Sequence, residues 1–182
     1  MTGMPARWRR KAQSGATAIE FALVLPLFFL IFYGSLTYGL IFLAHLTLQH
    51  AAEDGVRAVL RAQDTEDADG NDLTVEQQLE SRIAYAKSIA ATQASWIDGF
   101  QTPTINVNVC LSDAVCDAAG GGAGGYPDCS QTVLCQVVMT VTYDYATHPI
   151  VPSLAGSGLG PMTPTTLQGS ARVLIDGRVF TS

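Results

Sequence analysis

Apolar residues run without a charged side chain from Phe21 to Ala44, and then continue in a different rhythm. At about 1.5 Å per residue the first stretch is long enough to cross the roughly 30 Å hydrocarbon core of a bilayer, with some tilt. Beyond it, Leu46, Leu48, Ala51, Ala52, Val56, Val59 and Leu60 recur at helical spacing, with Glu53, Asp54, Arg57 and Arg61 on the wet side. The pattern predicts one long helix over residues 17–62, apolar on all sides at first and amphipathic afterwards. Pro26 removes one backbone hydrogen bond inside it, which predicts a kink. Gly34 and Gly39 weaken a helix in water but permit close helix contacts in lipid. The acidic residues 64–72 end the helix. Thr74 and Gln77 then fit a capping box opening a second helix, with Leu79, Ile83, Ala86, Ala90 and Ile97 on one stripe and Ile89 and Trp96 beside it.

After Pro103 the period drops to two. Ile105, Val107, Val109 and Leu111 alternate with Asn106, Asn108 and Cys110, and Val137, Met139, Val141 and Tyr143 alternate with Val138, Thr140 and Thr142. Both read as half-buried strands. A last strand is predicted over residues 167–175, with an extension towards Phe180. The Pro- and Gly-rich residues 149–164 form a crossing loop. The expected fold class is α+β: a long N-terminal transmembrane helix continuing into an amphipathic helix, and a small domain with one further helix and an antiparallel sheet of three or more strands. The expected organisation is a basic leader over residues 1–15, the helix over 16–62 with its span at about 21–44, and an exported domain over 63–182.

Charge orients this arrangement. The 182-residue chain carries a formal net charge of -6, yet Arg7, Arg9, Arg10 and Lys11 stand in the first fifteen residues with no acid beside them, which leaves -10 for the rest. The positive-inside rule keeps that basic end cytoplasmic, so the remainder lies outside: a single-pass protein of the inner (plasma) membrane with a periplasmic domain. An acidic body argues against nucleic acid as a partner. A cleavable secretory signal would have a shorter apolar core ending in a small-x-small site, a pattern that Phe42-Leu43-Ala44 does not meet.

Between the basic cluster and the span lies Ser14-Gly15-Ala16-Thr17-Ala18-Ile19-Glu20-Phe21. A carboxylate at the edge of hydrocarbon is costly, about 2.5–3.5 kcal/mol at a helix centre on translocon scales, so Glu20 invites an explanation. The plain alternative is an interfacial carboxylate favoured by the helix dipole. The arrangement resembles the prepilin-type processing site, a basic leader ending in glycine with glutamate fifth in the mature chain. That resemblance implies cleavage between Gly15 and Ala16. The new Ala16 ammonium would stand about one helical turn from Glu20, its own or a neighbour's partner in the membrane.

The remaining chemistry is sparse. Cys110, Cys116, Cys129 and Cys135 all fall on the exported side, and an even count in an oxidising compartment reads as two disulfides. The spacing lacks the two-residue gaps of a zinc ribbon, and the closest histidine is His148, so no metal is expected. Nested pairing (Cys110 with Cys135, Cys116 with Cys129) and local pairing (Cys110 with Cys116, Cys129 with Cys135) both stay open. Alternation places Cys110 opposite its strand's apolar face and Cys135 on the apolar side of the next, a conflict for nesting unless Cys135 precedes the regular strand. Residues 120–125 are flexible linker composition without the Gly-Lys-Ser/Thr of a phosphate loop.

With Gly70 at the sixth position of a calcium loop, Asp67, Asp69 and Glu76 fall on ligand positions but Thr65 occupies the first, so a solvated acidic loop is expected. His45 and His50 lie about 140° apart around a helix and share no face. No nucleophile elbow, metalloprotease or nucleotide-binding pattern is present, and neither an enzyme nor a cofactor is expected.

The stretch Ser14-Gly15-Ala16-Thr17-Ala18-Ile19-Glu20-Phe21-Ala22-Leu23-Val24-Leu25-Pro26, followed by an aromatic-rich span and Gln49-His50-Ala51-Ala52-Glu53-Asp54-Gly55-Val56-Arg57-Ala58, resembles the TadE/TadG-like family of tight-adherence (Flp-type) pilus proteins. That family has a similar Gly-Ala-Thr-Ala-x-Glu-Phe start, a proline soon after, and an Ala-Ala-x-x-Gly-x-Arg stretch. The resemblance covers residues 14–62, and Met139-Thr140-Val141-Thr142-Tyr143 fits the family's strands only loosely. It implies a pseudopilin-like protein, TadE-like by the size of its exported region, taking part in assembly or export of adhesive pili. The implied partners are a prepilin peptidase, the pilus assembly platform proteins, other pilins and inner-membrane lipid. The alternative is a membrane-anchored periplasmic binding or sensory module with an unprocessed N-terminus.

Overall fold

The computed structural model describes residues 14–61, 71–113, 116, 127, 129, 134–152 and 163–176. Two helices, α1 (Ser14–Val59) and α2 (Val75–Gln93), precede three strands, β1 (Thr104–Leu111), β2 (Cys135–Tyr143) and β3 (Leu167–Ile175). The α+β class expected from the sequence is the class observed. Contacts divide the chain into two compact units, Met1–Gly39 and Leu40–Ser182.

In the first unit α1 runs through Pro26 without ending there. Thr37 donates its hydroxyl to the Tyr33 carbonyl at 2.8 Å, so this polar side chain is satisfied within its own helix. Phe28 stacks on Phe32 with ring centroids 6.1 Å apart.

The second unit is built on a three-stranded antiparallel sheet in the order β1-β2-β3. Ile105 pairs with Val141 and Val109 with Val137 on one side, and Val141 pairs with Gly169 and Cys135 with Ile175 on the other. Alternation puts Cys135, Val137, Met139, Val141 and Tyr143 of the central strand on one face, all buried. The second half of α1 and the stripe of α2 cover that face. Ala44, Leu48, Ala51, Ala52, Val56 and Val59 of α1 and Leu79, Ile83, Ala86 and Ala90 of α2 join one core with Ile97, Leu167 and Ile175. Every residue of the stripe read from the sequence for α2 is buried, Ile89 is partly buried, and Trp96 is 40% exposed.

The helices run antiparallel, as three contacts show. Arg82 near the start of α2 donates to the carbonyls of Val59 and Arg61 at 3.2 and 2.8 Å. Gln93 at its end donates to Asp54 at 2.9 Å, and Trp96 beyond it donates its indole N–H to Thr47 at 3.1 Å. Arg82 is buried, which lowers its pKa. Its cation at the C-terminus of α1 complements the helix dipole and satisfies carbonyls that have no partner within the helix. Helix α1 ends at Val59 and not at Ala62, because its last turn tightens: Leu60 and Arg61 donate to Arg57 and Ala58 three residues back. Helix α2 starts on the expected capping box, with Gln77 N–H donating to Thr74 Oγ1 and Thr74 N–H to Gln77 Oε1.

Two glycines set how closely these layers approach. A methyl group at Gly55 would land on the Met139 thioether and 3.1 Å from the Ala90 Cβ, so α1, α2 and β2 converge there. A methyl at Gly169 would land on the backbone of Leu48 and Gln49. The Gln49 side chain completes that contact by accepting from Ser170 N–H at 3.1 Å and donating to Ser170 C=O at 3.0 Å. One amide therefore satisfies both polar groups of a residue on an edge strand.

Gly169→Ala is expected to destabilise the second unit by about 1–3 kcal/mol, the range for overpacking, because backbone cannot give way. Gly55→Ala should cost less, since the end of Met139 can swing aside and alanine improves helix propensity by about 1 kcal/mol. Chemical unfolding of the detergent-solubilised protein, followed by near-ultraviolet circular dichroism, checks the order.

Candidate functional site

The residues singled out in the sequence fall along α1 in three zones. The first holds Gly15, Ala16 and Glu20. Helix α1 begins at Ser14, so the Gly15–Ala16 bond lies in its first turn, where backbone N–H groups have no intrahelical partner. Glu20 is exposed, one turn further on.

The second zone is apolar and uncovered. Phe21, Leu23, Val24 and each residue from Leu27 to Phe32 are more than half exposed. These six consecutive residues, at about 100° each, sweep all sides of a helix, so every face of this segment is exposed among the described residues. Such a helix is stable only in lipid or against other apolar surfaces. It is the one helix among the described residues that is long and apolar enough to cross a membrane.

The third zone begins at Ile41, the first residue of α1 that the core buries, followed by Ala44, Leu48, Ala51 and Ala52. The expected span of residues 21–44 thus overlaps the packed stripe by one turn. The Gln49–Ala58 stretch now has structural roles. Ala51, Ala52, Val56 and Ala58 are core, Gly55 is the convergence point, and Gln49 holds β3. Arg57 faces solvent beside Asp54 at 3.9 Å, with its side chain 72% exposed, a pair of little energetic consequence.

The cysteines pair locally. Cys110 bonds Cys116 and Cys129 bonds Cys135, with Cα atoms 5.9 and 5.7 Å apart. The register gives the reason nesting fails. Cys135 lies inside β2 opposite Leu111, and Cys110 lies opposite Gln136, so alternation sends the two thiols to opposite faces of the sheet. The glycine-rich residues 120–125, the centre of the crossing loop, Phe180 and residues 64–70 of the acidic loop lie outside the described residues.

Other chemistry-bearing residues are dispersed. His45, His50 and His148 are exposed and lie on separate surfaces or turns. No group of three or more potential metal ligands occurs among the described residues. The turn after β2 is structural: Tyr143 donates its hydroxyl to the His148 carbonyl at 2.6 Å, and burial raises its pKa, with Tyr145 and Asp144 adding to the rise. Hydrogen bonding from the Thr147 side chain, with backbone N–H groups assisting, holds the Asp144 carboxyl below its usual value. Sequence reasoning missed the roles of Gln49, Arg82 and Gly169. A polar residue on the apolar stripe of a helix was the available signal for the first two.

Among the described residues, then, the three zones are a helix start, an exposed apolar segment and a stripe packed into a core. The family model described as TadE-like protein matches residues 15–57, which takes in all three zones. No curated protein and no solved structure gives a match. Each six-residue disulfide loop is expected to contribute about 2–2.5 kcal/mol on chain-entropy grounds. Peptide mapping of the unreduced protein should recover the Cys110–Cys116 and Cys129–Cys135 links and none between the two pairs. The match bears out the resemblance read from the sequence: residues 15–57 of this chain are similar to TadE-like proteins.

Proposed function

We propose that the protein is a TadE-like minor pilin or pseudopilin that takes part in assembly or export of tight-adherence pili, with a structural and not an enzymatic role. The observation that carries this reading is the coincidence of the TadE-like match with a helix that is apolar and exposed on every face. A surface of that kind needs lipid before export and neighbouring helices during assembly. On this reading the basic end stays cytoplasmic, residues 21–40 span the inner membrane, and the disulfide-bonded domain stands in the periplasm. Its partners are a prepilin peptidase, the assembly platform and other pilins.

Processing follows from the first zone. Glycine before the bond lets the backbone extend into a peptidase without side-chain obstruction, and a first helical turn frays most easily. Cleavage leaves an ammonium on Ala16, about 6 Å along the axis from Glu20. Paired within the membrane, on the same chain or between neighbours, the two charges offset each other's desolvation.

Comparison of Gly15→Ala and Glu20→Ala in cells with and without a prepilin peptidase tests the reading. Processing should yield a chain beginning at Ala16 only where the peptidase is present, and Gly15→Ala should slow it. Glu20→Ala should be processed normally yet give few pili. An intact leader in peptidase-containing cells would favour a plain anchor bearing a binding or sensory module. Full piliation by Glu20→Ala would remove the charge-pairing argument.

A further inference from the structure

The turns that follow α2, residues 94–100, carry two aromatic side chains that the fold leaves open. Trp96 is 40% exposed and Phe100 47% exposed, although Ala94 and Ile97 in the same turn are fully buried. On α1, within one or two turns of Thr47, Phe42, Leu43 and Leu46 are also exposed. The indole N–H of Trp96 donates to Thr47 Oγ1, and Thr47 in turn donates to the Leu43 carbonyl at 3.0 Å. Trp96 is thus pinned by its polar edge to the stretch Leu43–Thr47, with part of its apolar ring exposed.

This proposal rests on the membrane-anchored reading above. Residues 21–40 at about 1.5 Å each fill the roughly 30 Å hydrocarbon core. The core of the second unit buries Ile41, the residue that follows Leu40 in the sequence. Leu43 and Thr47 then lie about 5 and 10 Å beyond Leu40 along the helix axis. The headgroup layer occupies about 5–8 Å on each side of the hydrocarbon, so the Trp96 tether falls within it or at its outer edge. Because α2 runs antiparallel to α1, the turn that follows α2 lies beside Thr47, near the start of the second unit at Leu40. Tryptophan, with an apolar ring and one N–H to satisfy, is the side chain best suited to that layer.

We infer that the turn carrying Trp96 and Phe100 is a lipid-contact surface that seats the exported domain on the outer leaflet of its membrane. The charged group on this turn is the exposed Asp98, and no basic side chain stands in it, so the surface fits zwitterionic headgroups and not anionic ones. It would fix the height and tilt of the domain over the bilayer, and would have to release when the helix leaves the membrane.

The test uses the full chain in phosphatidylcholine vesicles. Trp8→Phe leaves Trp96 as the sole tryptophan. Its emission should be blue-shifted and should be quenched more by lipid brominated near the headgroup end of the acyl chain than by lipid brominated near the chain terminus. A control with Phe29→Trp, Trp8→Phe and Trp96→Phe reports the span and should be quenched most by the deep bromines. If the control is quenched while Trp96 responds only to aqueous acrylamide, the lipid-contact inference is overturned and the span stands, leaving the patch to a protein partner. If neither position is quenched, the membrane reading fails and the inference with it.

Discussion

The architecture depends on one requirement, that the apolar surface of α1 be removed from water along its whole length. Two different surroundings meet it. Up to Gly39 none of the described side chains of the helix is buried, and apolar side chains are exposed on every face. From Ile41 the second unit covers one side of the helix, which becomes part of a folded core. The sequence changes character at the same place: continuous apolar residues give way to a stripe of Ala, Leu and Val with charged residues opposite. Burial of each large apolar side chain is favourable by about 1.5–3 kcal/mol, against about 1 kcal/mol lost in helix propensity at Gly55. Packing therefore decides the sequence of the second half, and propensity yields to it.

The domain is arranged to receive that helix. Its central strand offers only buried side chains on the covered face, and small residues of α1 and α2 let the backbones come close. Gly169 accepts the helix backbone itself, and Gln49 then occupies the polar groups of Ser170. Arg82 closes the other end of the helix by taking its last carbonyls. The TadE-like match extends to residue 57, past any length a bilayer requires, and its second half covers the part of α1 that packs into the core.

Much of this was legible in the sequence because the periodicities are long and unambiguous. The capping box at Thr74 and Gln77, the stripe of α2 and the two alternating strands all have a local cause, and each stands where the pattern puts it, as does the third strand. Disulfide connectivity was less accessible. The alternation of Cys110 and Cys135 already argued against nesting, but the start of β2 decided it, and strand ends follow from register, which is set by pairing and not by local sequence. The contacts of Gln49, Arg82 and Gly169 were hidden for a similar reason. Each depends on which backbone lies opposite, and no short-range pattern encodes that. The division of α1 at Leu40 was likewise blurred, since Ile41 and Ala44 are as suited to lipid as to a protein core.

Two surroundings for one helix is the central claim, and a nitroxide scan along α1 in vesicles at high lipid-to-protein ratio tests it most directly. All four cysteines are in disulfides, so single cysteines introduced over residues 24–58 can be labelled selectively. Oxygen accessibility should be uniformly high over residues 24–39, with no face protected, and should turn periodic at about 3.6 residues from position 41 onward. A helical period already present across residues 24–39 in the dispersed protein, or ready access of a water-soluble relaxant there, would contradict the account.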